Sequence, residues 1–133
     1  PAANYVPVTR QGDVLYVSGQ ISIGPDGIIK GHLGRDLDVE AGQKAAEFSA
    51  LAILSHLKFT AGADLDKLRL VKLTVLVASD PGFSDQHLVA NGASNLLVDV
   101  LGENGKHARA AFGVAALPLG AAVEIEAVAE ILN

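Results

Sequence analysis

The sequence contains no cysteine, no methionine and no tryptophan. Without a thiol there is no disulfide framework, no thiolate nucleophile and no thiolate metal site, and a reducing, cytoplasmic setting is the natural expectation. Aromatic side chains are scarce, two Tyr and four Phe in 133 residues, so few platforms exist on which unpaired bases could stack. Positive charge is also in deficit: 10 Lys and Arg stand against 15 Asp and Glu, a formal −5, which argues against nucleic acid as a partner. No run of about 18 apolar residues occurs, so no membrane-spanning helix is expected. The basic, apolar, small-residue order of a signal peptide is missing as well, and from the opening at Pro1 a start lying upstream, or removed, is expected.

What is present is material for a core. Half of the residues are apolar and only 19% are charged, which excludes disorder. The length allows one domain, taken as 1–133. Residues 14 to 23 read as a strand stopped by Gly24, Pro25, Asp26 and Gly27, and a shorter strand is expected near 5 to 9. Asp38 suits the N-cap of a long helix over 39 to 61, with Gly62 beyond its end. Residues 68 to 77 form a second strong strand, with Val71, Leu73, Val75 and Val77 assigned to one face. A second helix is expected over 85 to 101 with Gly102 closing it, followed by strands 108 to 117 and 121 to 131, read as a hairpin around Pro118 and Gly120.

The resulting order is ββαβαββ. Two helices cover one face of such a sheet, yet Leu70 and Leu76 are assigned to the other face and the strand from 110 to 116 is apolar on both. The uncovered face needs a partner, and a second copy of the chain is the simplest one. A homo-oligomer is therefore expected.

The last strand carries the chemistry-bearing pattern. Val123, Ile125 and Ala127 point one way and Glu124 and Glu126 the other, toward the face assigned to the partner. Carboxylates there need a counter-charge, and Arg109 on the preceding strand is the candidate. Two readings stay open at this level. One is an interface ion pair. The other is a site in which the guanidinium clamps a substrate carboxylate and a partly desolvated Glu moves protons, with Glu126 competing with Glu124 for that role.

The segments LYVSGQIS at 15–22, VKLTVLV at 71–77, RAAFGVAALP at 109–118 and VEIEAVA at 123–129 together resemble the Rid/YjgF family of reactive-intermediate imine deaminases, also labelled L-PSP endoribonuclease-like. The resemblance runs from residue 5 to 129. It implies an α+β, chorismate-mutase-like fold assembled as a homotrimer around a central barrel, with clefts between neighbouring subunits. It also implies hydrolytic deamination of reactive 2-imino or 2-enamino acids to 2-keto acids and ammonia. In that scheme Arg109 holds the substrate carboxylate, Glu124 positions the attacking water, and Tyr5, Ser18 and Asn91 line the substrate site. No cofactor is implied, because an imine already reacts with water and the protein has only to orient it and manage protons.

The chain departs from the archetype at Ala111, where the family pattern has Cys, and in longer loops around 29 to 36, 79 to 87 and 105 to 107. Loops carry specificity, so these departures bear on the substrate. Two alternatives accompany the deaminase reading: a non-catalytic trimer that binds small carboxylates, and the endoribonuclease label, which the negative charge opposes. The four histidines, His32, His56, His87 and His107, show no metal-ligand spacing, and no metal is expected.

Overall fold

Apolar residues at every second position build the central strands, because a pleated backbone sends alternate side chains to opposite faces. A computed structural model describes residues 3–133, so the first two positions of the expected 1–133 domain, Pro1 among them, lie outside the described residues. In chain order the elements are β1 (Val8–Gln11), β2 (Val14–Ile21), the short strands β3 (Ile23–Gly24) and β4 (Gly27–Ile28), and helix α1 (Val39–Ser55). Then follow β5 (Leu68–Ala78), α2 (Gln86–Leu101), β6 (Ala108–Val114) and β7 (Val123–Ile131). The expected ββαβαββ order holds for the main sheet, whose spatial order is β1-β2-β7-β5-β6. The turn at Pro25 and Asp26 adds the β3–β4 hairpin, and β1 begins at Val8 instead of near Tyr5.

One face of the sheet is covered. Leu15, Val17, Leu73, Val75, Val77, Val123 and Ile125 are buried against the helices in one continuous core with Ala45, Ala50, Ile53, Val89, Ala93 and Leu97. Each large side chain so removed from water contributes about 1.5–3 kcal/mol. Asp38 caps α1 as expected, its Oδ1 accepting from the Ala41 N–H at 2.9 Å. The helix is α-helical only to Ser55, after which His56–Thr60 form a wider π-turn. The two helices approach closely at Gly92, where a Cβ would stand 2.2 Å from the backbone oxygen of Gln43. Only a residue without a side chain fits there.

Two expectations fail in instructive ways. The strands on either side of Pro118 do not form a hairpin: β5 lies between them, parallel to β6 and antiparallel to β7. Residues 86–101 form the crossover helix of a β–α–β unit, which places β6 at the sheet edge, and the 118–120 turn then carries the chain across the end of β5. Leu70 is buried on the helix side, not on the open face, because the β5–β7 register shifts between Leu70 and Lys72 and turns Val71 outward. Leu76 does face the open side, in a row with Phe112 of β6, Glu124 of β7 and Ile21 of β2.

Candidate functional site

Strand parity decides where each candidate side chain goes. Arg109 pairs with Leu73 on β5, whose side chain lies on the helix face, so Arg109 emerges toward α2 at the exposed edge of the sheet. Glu124 pairs with Leu76 and projects from the open face. The two groups thus stand on opposite sides of one sheet, and the ion pair that a β6–β7 hairpin would have allowed within a protomer does not form. Among the described residues no acidic side chain lies within ion-pair distance of Arg109.

Arg109 is nonetheless held firmly. Its Nη1 donates to Asn91 Oδ1 at 2.9 Å and to Ser94 Oγ at 3.1 Å, and its Nη2 donates to the His87 carbonyl at 3.3 Å. Asn91 and Ser94 face it because they are three apart on α2. Behind Ser94 stands His107, whose Nε2 lies 2.9 Å from Ser94 Oγ and whose Nδ1 lies 2.6 Å from the Gly105 carbonyl. A carbonyl only accepts, so Nδ1 carries a proton, and in the neutral imidazole Nε2 then accepts from the Ser94 hydroxyl. Ser94 oxygen in turn accepts from Arg109. This one-directional chain fixes the guanidinium while leaving Nε–H and one Nη2–H without a partner among the described residues, enough for a fork-like grip on a carboxylate. The Asn91 expectation meets Arg109 here. Ser94 and His107 were missed, since a contact between residues 13 apart on different elements leaves no periodic mark.

Glu124 occupies the second half. Its carboxyl lies over the backbone of β2 at Gly19, where an added Cβ would stand 2.7 Å from Oε2 and displace the carboxyl from its present position. Burial first, and the nearby Glu126 carboxylate second, hold the Glu124 carboxyl above the ordinary glutamate range. It lines a cavity of about 520 Å³ together with Tyr5, Ile21, Ile23, Ala52, Pro118 and Leu119. Tyr5 and Glu124 therefore come together as a pair, apart from Arg109 and Asn91.

Ser18 lies next to this cavity yet lines a neighbouring hollow with Glu126, Lys72 and Tyr16. Its hydroxyl donates to the Val6 carbonyl at 2.7 Å and its N–H to the Pro7 carbonyl at 2.8 Å. Ser18 thus straps the 5–7 segment to β2 and so positions Tyr5. Glu126 is more exposed than Glu124 and belongs to that neighbouring hollow, which separates the two carboxylates.

Leu119 is a lining residue that sequence reasoning did not single out. It is the one non-glycine residue with positive φ among the described residues, at φ 60° and ψ 18°, and 71% of its surface is exposed. A left-handed leucine costs roughly 1–2 kcal/mol. No pattern signals such a residue, because the conformation runs against its preference.

Among the described residues there is no group of three or more His, Asp or Glu arranged to hold a metal. No helix among them is long and apolar enough to cross a membrane.

A sequence model of the family described as Endoribonuclease L-PSP matches residues 1–131. The chain is 49% identical to Protein TCP17 of Trypanosoma cruzi over 138 residues, covering 100% of this chain and 84% of that protein. It is 34% identical to the mouse 2-iminobutanoate/2-iminopropanoate deaminase, covering 97% of this chain and 80% of the relative. Its fold is similar to the crystal structure of Atu1372 of Agrobacterium tumefaciens, described as of unknown function, with TM-score 0.93, 54% identity, and 98% of this chain and 85% of that one covered.

Proposed function

We propose, from the premise that this chain belongs to the Endoribonuclease L-PSP family, also known as Rid/YjgF, that it hydrolyses 2-imino acids to 2-keto acids and ammonia in a cleft between subunits. The observation that carries this reading is the wiring of Arg109, fixed by three oxygens of its own chain with Nε–H and one Nη2–H unpartnered, and no carboxylate within ion-pair distance, among the described residues. A substrate carboxylate matches those two donors. Its other end then needs a proton-handling group, and Glu124, kept above its ordinary range by burial, is suited to exchange protons closer to neutrality.

In this scheme the imine takes up a proton and Glu124, as carboxylate, draws one from water as its oxygen adds to C2. The tetrahedral adduct collapses when the nitrogen receives that proton: the C–N bond breaks as the new hydroxyl gives its own proton to the Glu124 carboxylate, which returns it to solvent in place of the one the imine took up, and keto acid and ammonia leave. Atoms balance with water alone, and no nucleophilic side chain is consumed.

The opposite-face placement makes oligomerisation part of the proposal. A β6 edge bearing Arg109 has to lie against the open face bearing Glu124 of a neighbour, and a closed three-subunit ring satisfies this once per interface. The exposed Phe112 and Tyr16 on that face favour coverage by another protomer. A cysteine-free chain fits a cytoplasmic, reducing setting. The family label's endoribonuclease reading is weaker, because a formal −5 gives RNA little to hold.

The test generates 2-iminopropanoate in situ and follows its decay. Wild type should accelerate hydrolysis, and Arg109→Ala should remove most of that acceleration. No acceleration over buffer with any imino acid, small or large, would defeat the reading.

A further inference from the structure

The cavity beside Glu124 has walls that the deaminase chemistry alone does not need. Ile21, Ile23, Ala52, Pro118 and Leu119 line it, and Glu124 is the one carboxylate among its lining residues, with no Lys or Arg. The remaining imidazole, His56, has its Nδ1 engaged with Thr60 Oγ1 at 2.8 Å. An acidic substrate side chain would therefore meet a carboxylate and no Lys or Arg of this protomer, while the neighbour's Arg109 is engaged by the substrate's own carboxylate. A basic one would compete with the protonated imine for Glu124.

Leu119 adds a second, independent observation. Its side chain is held out at the cavity in a backbone conformation that glycine or asparagine would adopt with less strain, and most of its surface faces solvent. Strain retained at a cavity wall is a sign of use, because relieving it takes a single substitution. Pro118 before it and Gly120 after it, at φ 74°, hold the turn that presents it.

We infer that this cavity receives the substrate's side chain, and that the chain acts on imino acids with branched or aromatic apolar side chains, with Leu119 and Ile23 determining that preference. This rests on the deaminase reading. The lining supports it: Ile21, Ile23, Ala52, Pro118 and Leu119 offer hydrocarbon contact that a methyl side chain would leave unused. Added methylenes in an apolar pocket discriminate by roughly 10–200-fold in kcat/KM.

The experiment measures kcat/KM of the full chain for imino acids generated in situ from alanine, leucine, phenylalanine and glutamate, and repeats it with Leu119→Gly. Glycine suits the left-handed backbone, so the variant keeps its fold. Wild type should favour the leucine- or phenylalanine-derived imine over the alanine-derived one by at least about tenfold and turn over the glutamate-derived one least. Leu119→Gly should lower the leucine-to-alanine ratio about tenfold. A flat or small-side-chain preference, a ratio unchanged in the variant, or dissociation of the oligomer by Leu119→Gly on gel filtration would overturn the inference.

If no imino acid is turned over, the deaminase reading falls and the cavity is read separately, by thermal stabilisation with 4-methyl-2-oxopentanoate, pyruvate and 2-oxoglutarate. A larger shift with 4-methyl-2-oxopentanoate upholds the cavity's ligand class. Equal shifts, or none, overturn it.

Discussion

The two halves of the candidate site are built on opposite principles. Around Arg109 the hydrogen bonds are directional: three oxygens grip the guanidinium, and His107 braces one of them, Ser94 Oγ, from behind. Around Glu124 the walls are mostly hydrocarbon, and the carboxyl is left to the influence of burial and of one like charge. A permanently charged group gains by being fixed, since its task is to meet a partner of known geometry. A group that must gain and lose a proton gains by being kept from strong partners, since any of them would commit it to one protonation state. Each half therefore carries the surroundings its proposed chemistry requires, and neither contains the other.

The sharpest way to break this comparison is to disable each half in a different subunit. Arg109→Ala and Glu124→Gln should each lower turnover of the preferred imino acid by about 10²–10⁴-fold alone. Co-assembled from equal amounts they should regain about a quarter of wild-type activity, since three of four random trimers are mixed and each mixed ring holds one intact interface of three. No recovery on mixing would mean that the halves do not meet between subunits.

A smaller effect tests the brace behind Arg109. His107→Leu and Ser94→Ala should raise KM about five- to tenfold with little change in kcat, the range of one hydrogen bond. His107→Gln, whose side-chain oxygen can still accept from Ser94, should recover most of that affinity. Equal KM in the Leu and Gln variants would reduce His107 to a packing residue.

The smallest effect concerns Glu124 and stability. Its carboxyl is held above the unfolded range, so the native state keeps a proton that the unfolded chain has lost, and stability falls as pH rises through that window. Glu124→Gln should then melt a few degrees higher, about 1–3 °C, above the window and at the wild-type temperature below it. If a neighbour's guanidinium already faces this carboxyl in the assembly, the gain appears only in dissociated protein. A gain confined to acid pH would contradict the burial argument.

Much of this arrangement was readable from period and punctuation. The strand alternation put Glu124 and Glu126 on the face away from the helices, and Asp38 and Gly102 marked helix ends where the structure has them. The reading failed where one inserted residue outweighed a pattern. At Val71 a shift of register moved Leu70 into the core, which alternation alone cannot foresee. At Pro118 the turn signal was real, but a turn states only that the chain reverses; which strand it returns beside depends on the crossover through α2. The same crossover put Arg109 on the helix face. Ser94 and His107 then became its supports through proximity that only the assembled fold creates.

Gly92 sits between Asn91 and Ser94 on the same helix, and it is the point where α2 presses on the backbone of α1. The rotational setting of α2, and with it the aim of the two side chains that steady Arg109, is therefore locked by an absence of atoms. An engineer who replaced this glycine to strengthen the helix would push α2 off its seat and disturb the aim of Arg109 from a position outside the proposed substrate contacts. Surveys of tolerated variation should find position 92 as unforgiving as the reacting groups themselves.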